Sequence, residues 1–314
     1  MIFVPHPGIN SWADRQLMRE RYLIIAAFAT VYLVWGSTYL VNYLAILEIP
    51  PFLMSGTRFL TAGLLLFGVA ALRKIPLPTL AQWRNAAWIG LMFMALGTGL
   101  VVWAEQWVDS GMAALLVSFE PLIVVLLLWV MRGKNPQLHS LLGVGLGVLG
   151  MFLLVGQPQI SADRDTLIGV GVIAMSLFAW GYASIYIGQA NLPKSKMQSA
   201  GMQMTCGGIW LLIMSLIFGD YKQFDWEKLT AQGIFSFFYL IVMGSLIAFS
   251  AFNYLLTKVS PEKVATTNYV NPVVAMFLGW SLNNEQVTTR SLIAAAIMLT
   301  GVFFINANFG KKQA

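Results

Sequence analysis

The sequence is a succession of long apolar runs separated by short polar connections. Ten occur, at about 22–44, 52–72, 84–104, 110–130, 138–155, 167–188, 198–218, 230–252, 261–281 and 289–307. A helix of about 20 residues rises roughly 30 Å, the thickness of a bilayer's hydrocarbon core. Within that core no water can bond the backbone, so only helices and closed barrels cross it. Barrel strands need only about ten residues, alternating in polarity; these runs are much longer and continuously apolar. The fold class that follows is an all-α integral membrane protein with ten transmembrane helices. Only 10% of the residues are charged, against about 25% in soluble domains, and no connection is long enough to form a soluble domain.

The net charge of +6 follows from sidedness and needs no nucleic-acid partner. If the N-terminus is cytoplasmic, that side holds Arg15, Arg19, Arg21, Arg73, Lys74, Arg84, Arg132, Lys134, Lys194, Lys196, Lys258, Lys263, Lys311 and Lys312. The opposite side holds Arg164, Lys222, Lys228 and Arg290, and Arg58 falls inside a run. Such an excess marks the cytoplasmic face. It predicts a cytoplasmic segment at 1–21, a cytoplasmic tail at 308–314, and a bacterial inner membrane as the location. The first run is too long for a signal-peptide core and reads as a retained span. Cys206 is the only cysteine and lies in a span, so no intramolecular disulfide or cysteine metal cluster can form.

The chain also repeats itself. A shift of 145 residues aligns Trp35-Gly36 with Trp180-Gly181, Gly56 with Gly201, and Gly63 with Gly208. A shift of 151 aligns Ala114 with Ala265, Pro121 with Pro272, Trp129 with Trp280, Ser140-Leu141 with Ser291-Leu292, and Gly150 with Gly301. Two five-helix units result, at 22–155 and 167–307. Because five is odd, the second enters the membrane from the opposite face. Inverted repeats of this kind characterise many secondary transporters, with the binding site near the midplane between the halves.

Three features then carry a family resemblance: VYLVWGSTYLV in the first span, PPFLMSGTRFLTAGLLL in the second, and the proline-containing fourth and ninth spans. With these the chain resembles the EamA-type transporters of the drug/metabolite transporter superfamily over roughly residues 22–307. The resemblance implies helices one to four and six to nine around a central cavity. It also implies alternating-access transport, with export expected, of a small polar or amphipathic metabolite such as an amino-acid-like compound or a drug. One departure is visible: such repeats often carry a glutamate just after their fourth helix, where the second half has Glu285 but the first has Lys134.

Candidate site residues are the polar groups inside spans. Glu120 interrupts LLVSFEPLIVVLLLW, and an ionisable group at membrane depth is a functional candidate by default. It lies about ten residues, or roughly 15 Å, from the outer surface, and Arg58 about six residues, or roughly 9 Å. A structural ion pair between them, contact with substrate or a proton, and snorkelling of Arg58 to the interface all fit those depths. Under the repeat, Arg58 falls on Gln203 and Glu120 on Asn271, which would line one cavity asymmetrically. Pro121 and Pro272 each remove a backbone donor, either kinking their helices or freeing the carbonyls of Val117 and Asn268 for a ligand. Asn268 and Asn271 share a helix face.

Trp35 and Trp180 lie about thirteen residues into their spans, too deep for the interfacial belt that suits Trp83, Trp107 and Trp226; core packing and cavity lining both fit. Gly143 and Gly147 form GxxxG, and with Gly150 and Gly301 they mark helices five and ten for close packing or homodimerisation. Gly145, Gly147 and Gly150 also spell GxGxxG, but a dinucleotide site needs a preceding strand and a βαβ unit. No cofactor or metal is expected. Enzyme chemistry would need convergent nucleophiles, bases or metal ligands; the chain has only His6 and His139, near the cytoplasmic boundary, and no HExxH or GxSxG. No Walker A pattern is present. The expected partners are a small-molecule substrate and the lipid bilayer. A structural or receptor-like subunit is the alternative, and it would leave the buried charges as a staple only.

Overall fold

The structure, a computed structural model, describes residues 12–104, 116–155, 164–283 and 288–306. The helices are α1 (Trp12–Ile46), α2 (Pro51–Leu72), α3 (Leu80–Ala104), α4 (Glu120–Arg132) and α5 (Leu138–Val155), then α6 (Arg164–Tyr186), α7 (Lys196–Phe218), α8 (Ala231–Lys258), α9 (Thr267–Asn283) and α10 (Thr289–Asn306). No strand occurs among the described residues. Helices α2, α3, α6, α7 and α8 are long and apolar enough to cross a membrane, and α5 and α10 are shorter apolar helices. Large apolar side chains such as Leu64, Val130, Leu216 and Phe303 stay exposed, as on a surface meeting lipid.

Local chemistry sets the helix ends. Thr79 and Gln82 form a capping box on α3, Ser195 caps α7 and Thr230 caps α8. Gly133 and Gly219 end α4 and α7 with φ of 63° and 73°, in the left-handed region that glycine enters freely. Pro50 offers α2 no side-chain cap. Asp220, in the turn after α7, supplies one: its carboxylate accepts the N–H groups of Phe52 at 2.8 Å and Leu53 at 3.3 Å. A carboxylate there also meets the positive end of the helix dipole. Helix α1 starts ten residues before its apolar run because the stretch from Trp12 is rich in good helix formers.

The helix contacts have an exchange symmetry. α2 packs on α7 and α5 on α10; α1 packs on α8 and α9, while α6 packs on α3 and α4. Swapping α1–α5 with α6–α10 returns that set of pairs to itself. Glycines make the two central seams. A Cβ on Gly63 would lie 2.7 Å from the Gly201 carbonyl, and one on Gly208 2.9 Å from that of Gly56. In the other seam, a Cβ on Gly143 would meet the Gly301 carbonyl at 2.6 Å, and one on Gly150 that of Ala294 at 2.8 Å. In both seams later residues of one helix meet earlier residues of the other, so equivalent helices run antiparallel.

The glycine faces of α5 and α10 are therefore occupied within the chain. A homodimer through these helices would have to use their outer faces, where Leu142, Leu149, Leu292 and Leu299 are exposed.

Two further features depart from the expectations above. Pro121 stands in the first turn of α4, which begins at Glu120, so it does not kink a continuous helix; a missing N–H is harmless in a first turn. Pro272 does lie inside its helix, α9. The second departure is in the third helix of each half. α3 widens to π-helical turns over Leu91–Gly99, and α8 does so over Leu240–Phe249. Widened turns inside a helix are rare and occur frequently at functional sites.

Candidate functional site

The candidate residues are held by separate sets of partners. Glu120 opens α4, is 6% exposed, and accepts a hydrogen bond from Nδ2 of Asn268 on α9. Next to Asn268, the fully buried Tyr269 presses its ring on Gly147 of α5 and donates to the Val144 carbonyl at 3.4 Å. Glu120 thus sits where the fourth helices of the two halves meet. Arg132, at the far end of α4, is twelve residues or about 18 Å away.

Arg58 is also 6% exposed, but it faces elsewhere. Its Nε donates to Ser245 Oγ at 2.8 Å and a terminal nitrogen donates to Asn42 Oδ1 at 3.1 Å. Its guanidinium lies over the Phe59 ring, 4.8 Å from the centroid. The guanidinium and the Glu120 carboxylate form no ion pair, so the first half buries both charged groups, each among neutral partners. Gln203 is wholly buried, donates to Ser199 on its own helix and backs onto Gly90 of α3. Asn271 is 2% exposed with its Oδ1 unpartnered. None of the hydrogen bonds that hold these four groups joins one of them to another.

The tryptophans do come together. Trp35 and Trp180 meet edge to face, 6.1 Å between centroids, and both contact Phe252, at 4.9 and 5.6 Å. Phe93 completes the group, 4.8 Å from Trp180. Each indole rests on the widened turns of the other half. Trp35 Nε1 donates to the Gly244 carbonyl of α8 at 3.3 Å, and Trp180 lies so close to Gly97 of α3 that a Cβ there would be 2.7 Å from its ring. The first helix of each unit therefore keys into the third helix of the other.

A cavity of about 590 Å³ opens at the end of the bundle that holds the start of α1. That end is identified by Lys258, whose Nζ is 2.5 Å from the carboxylate of Glu20 on α1. The ends of α4, α6 and α8 and the α6–α7 connection form the walls. Ser184 and Asn253, both lining it, were not singled out from sequence. Neither were Asn42 and Ser245, the partners of Arg58. A lone polar residue in an apolar span is the signal that could have found Asn42 and Asn253.

Comparison with known proteins agrees with this architecture. The EamA-like transporter family matches the chain twice, over residues 22–156 and 167–307. The uncharacterized inner membrane transporter YedA of Escherichia coli K12 is 35% identical over 295 residues, 92% of each chain. The uncharacterized transporter YoaV of Bacillus subtilis is 23% identical, over 92% of this chain and 99% of its own. Protein PecM of Dickeya dadantii is 24% identical over 87% of this chain and 88% of its own. A solved crystal structure superposes with a TM-score of 0.74 at 17% identity, over 90% of this chain and 96% of that one, which shows a shared fold. Two consecutive matches spanning nearly all of a helical chain with exchanged pairs of contacts lead to one conclusion: the chain belongs to the EamA-like transporter family.

Proposed function

We propose that this multi-pass inner-membrane protein is a secondary transporter with ten spans, in two inverted units at 22–155 and 167–307. It moves a small polar or amphipathic metabolite, of the kind of an amino-acid-like compound or a drug, by alternating access. The observation that carries this reading is the exchange symmetry of the helix contacts. When two units can trade roles while keeping the same set of contacts, a second conformation open to the opposite side costs little relative to the first. The tryptophan keys at the widened turns lie on the interface that such a rearrangement must cross. By the excess of basic residues at its mouth, the open cavity faces the cytoplasm, which suits loading for export.

Glu120 is the acidic group placed to carry a coupled proton, since it lies buried at the junction of α4 and α9. The reading is tested in two steps. Thermal stabilisation of the purified protein is first screened against amino acids, nucleosides, vitamins and cationic drugs; a ligand at 100 times its Kd adds about 2.7 kcal/mol. Flux of the stabilising compound into proteoliposomes is then measured with and without a pH gradient. Flux no faster than in protein-free liposomes overturns the transport reading. In Glu120→Gln, exchange should persist and gradient-driven accumulation should vanish. Unchanged accumulation removes the proton from Glu120.

A further inference from the structure

We infer that the cavity at the basic end recognises an organic anion, with carboxylate or phosphate oxygens held by its lysines and a hydroxyl directed to its inner wall. This deepens the transport reading and rests on it. The volume, about 590 Å³, suits a small metabolite. Five cationic side chains line it: Arg132 and Lys134 from the end of α4, Lys194 and Lys196 where α7 begins, and Lys258 from the end of α8. None of its lining residues is acidic.

Sidedness explains why basic residues gather at this end of the bundle, but not why they converge on one cavity from separate elements. Two of the five have protein partners. Arg132 donates to the Ile185 carbonyl at 2.7 Å, and Lys258 pairs with Glu20. Among the described residues no carboxylate lies within 4.0 Å of Lys134, Lys194 or Lys196. They line the cavity, and among the described residues no carboxylate neutralises them. An Arg-and-Lys cluster of this kind is the ordinary means of holding phosphate or carboxylate oxygens.

The inner wall specifies the rest of the ligand. Ser184 and Asn253 are 2% and 4% exposed, and both Ser184 Oγ and Asn253 Oδ1 lack a hydrogen-bond partner. Asn253 donates its Nδ2 to the Phe249 carbonyl at 3.2 Å, which leaves Oδ1 as a free acceptor. Buried polar atoms are normally satisfied; Asn253 Oδ1 is closed to solvent in this conformation, so a donor on the ligand meets it once the side chain turns toward the cavity. A hydroxyl meets that need, and an anion lacking one does not. The wall also adjoins the aromatic group. Trp180 is one turn from Ser184 on the same face of α6, and Phe252 precedes Asn253, so an anion held here waits at the entrance to the interface between the units.

The test measures binding, not flux, so its failure removes the anion site and leaves the transport reading to its own assay. The full chain in nanodiscs of zwitterionic lipid is titrated with glycerol 3-phosphate, citrate and inorganic phosphate, with sodium chloride at matched ionic strength. Tryptophan fluorescence and thermal stability are followed. Glycerol 3-phosphate or citrate should give a saturable response that chloride does not. Lys194→Gln with Lys196→Gln should raise the apparent Kd at least tenfold, and Lys134→Gln, beyond the end of α4, should weaken binding in the same direction. Arg73→Gln with Lys74→Gln, off the cavity, should leave binding unchanged. Asn253→Leu should abolish the preference for glycerol 3-phosphate over inorganic phosphate. No response beyond chloride, or equal losses in the Arg73 and Lys74 variant, overturns the assignment. If only nanodiscs containing phosphatidylglycerol stabilise the protein, the site holds a lipid headgroup and the soluble-anion assignment falls.

Discussion

Glu120 and Arg58 have compatible depths in the sequence, yet the structure gives them different partners, and double-mutant cycles separate the two pictures. The first cycle combines Glu120→Leu with Asn268→Leu. Asn268→Leu alone leaves a carboxyl that is 6% exposed without its donor, a loss of about 1–3 kcal/mol. Glu120→Leu alone strands the amide at a similar cost, while the double variant leaves neither group unpaired. The expected coupling is therefore at least about 2 kcal/mol, at the upper end of what contacting residues show.

The second cycle combines Glu120→Leu with Arg58→Met. Because Arg58 bonds to Ser245 and Asn42 instead, its effect should add to that of Glu120→Leu within about 0.5 kcal/mol. A third, Arg58→Met with Ser245→Ala, should couple by about 1.5–3 kcal/mol, the range for a hydrogen bond to a charged group. Reversible denaturation of the purified protein in mixed micelles, followed by tryptophan fluorescence, supplies the free energies. Coupling above about 1 kcal/mol between Arg58 and Glu120, or none between Glu120 and Asn268, would refute the assignment of partners.

Three further outcomes are expected. Gly63→Ala places a Cβ 2.7 Å from the Gly201 carbonyl and against the backbone of Thr205, so it should destabilise by about 1–3 kcal/mol; Gly68→Ala, with nothing within 4 Å, should be neutral or stabilise by up to about 1 kcal/mol. Equal melting shifts for the two would contradict the close α2–α7 seam. Thr230 donates its hydroxyl and its N–H to Glu48, holding the Glu48 carboxyl below its ordinary value of 4.5. A depressed carboxylate contributes stability that is present above the unfolded pKa and lost as pH falls through the folded one. Melting measured from pH 6 down to about 3 should therefore lose a component that is smaller in Thr230→Ala, which keeps only the N–H donor to Glu48, and identical profiles would rule it out. In a Cys206→Ala background, cysteines replacing Lys134 and Lys194 should resist an impermeant thiol reagent in intact cells while one replacing Glu227 reacts; the reverse pattern would invert the orientation.

The lengths of the apolar runs alone determine that the chain is helical, because hydrocarbon leaves the backbone no partner but itself, but not that α1 begins at Trp12 or α4 at Glu120. The repeat was legible for a related reason. Glycine and tryptophan recur at one offset because both halves need the same close approach and the same key. The sequence aligned Gly56 with Gly201 and Gly63 with Gly208, whereas the fold puts Gly63 against Gly201 and Gly56 against Gly208, the crossed pattern of antiparallel equivalents. Position along a span gave the depth of Glu120 and Arg58 but not their facing. Each residue turns about 100° around its helix, and which neighbour a face meets is decided by the packing of elements distant in the chain. The basic residues show the same division. The side of the membrane expected for them can be counted from the sequence, since that expectation depends only on which connections they occupy. That five of them wall one cavity with Ser184 and Asn253 is decided only where α4, α6, α7 and α8 converge.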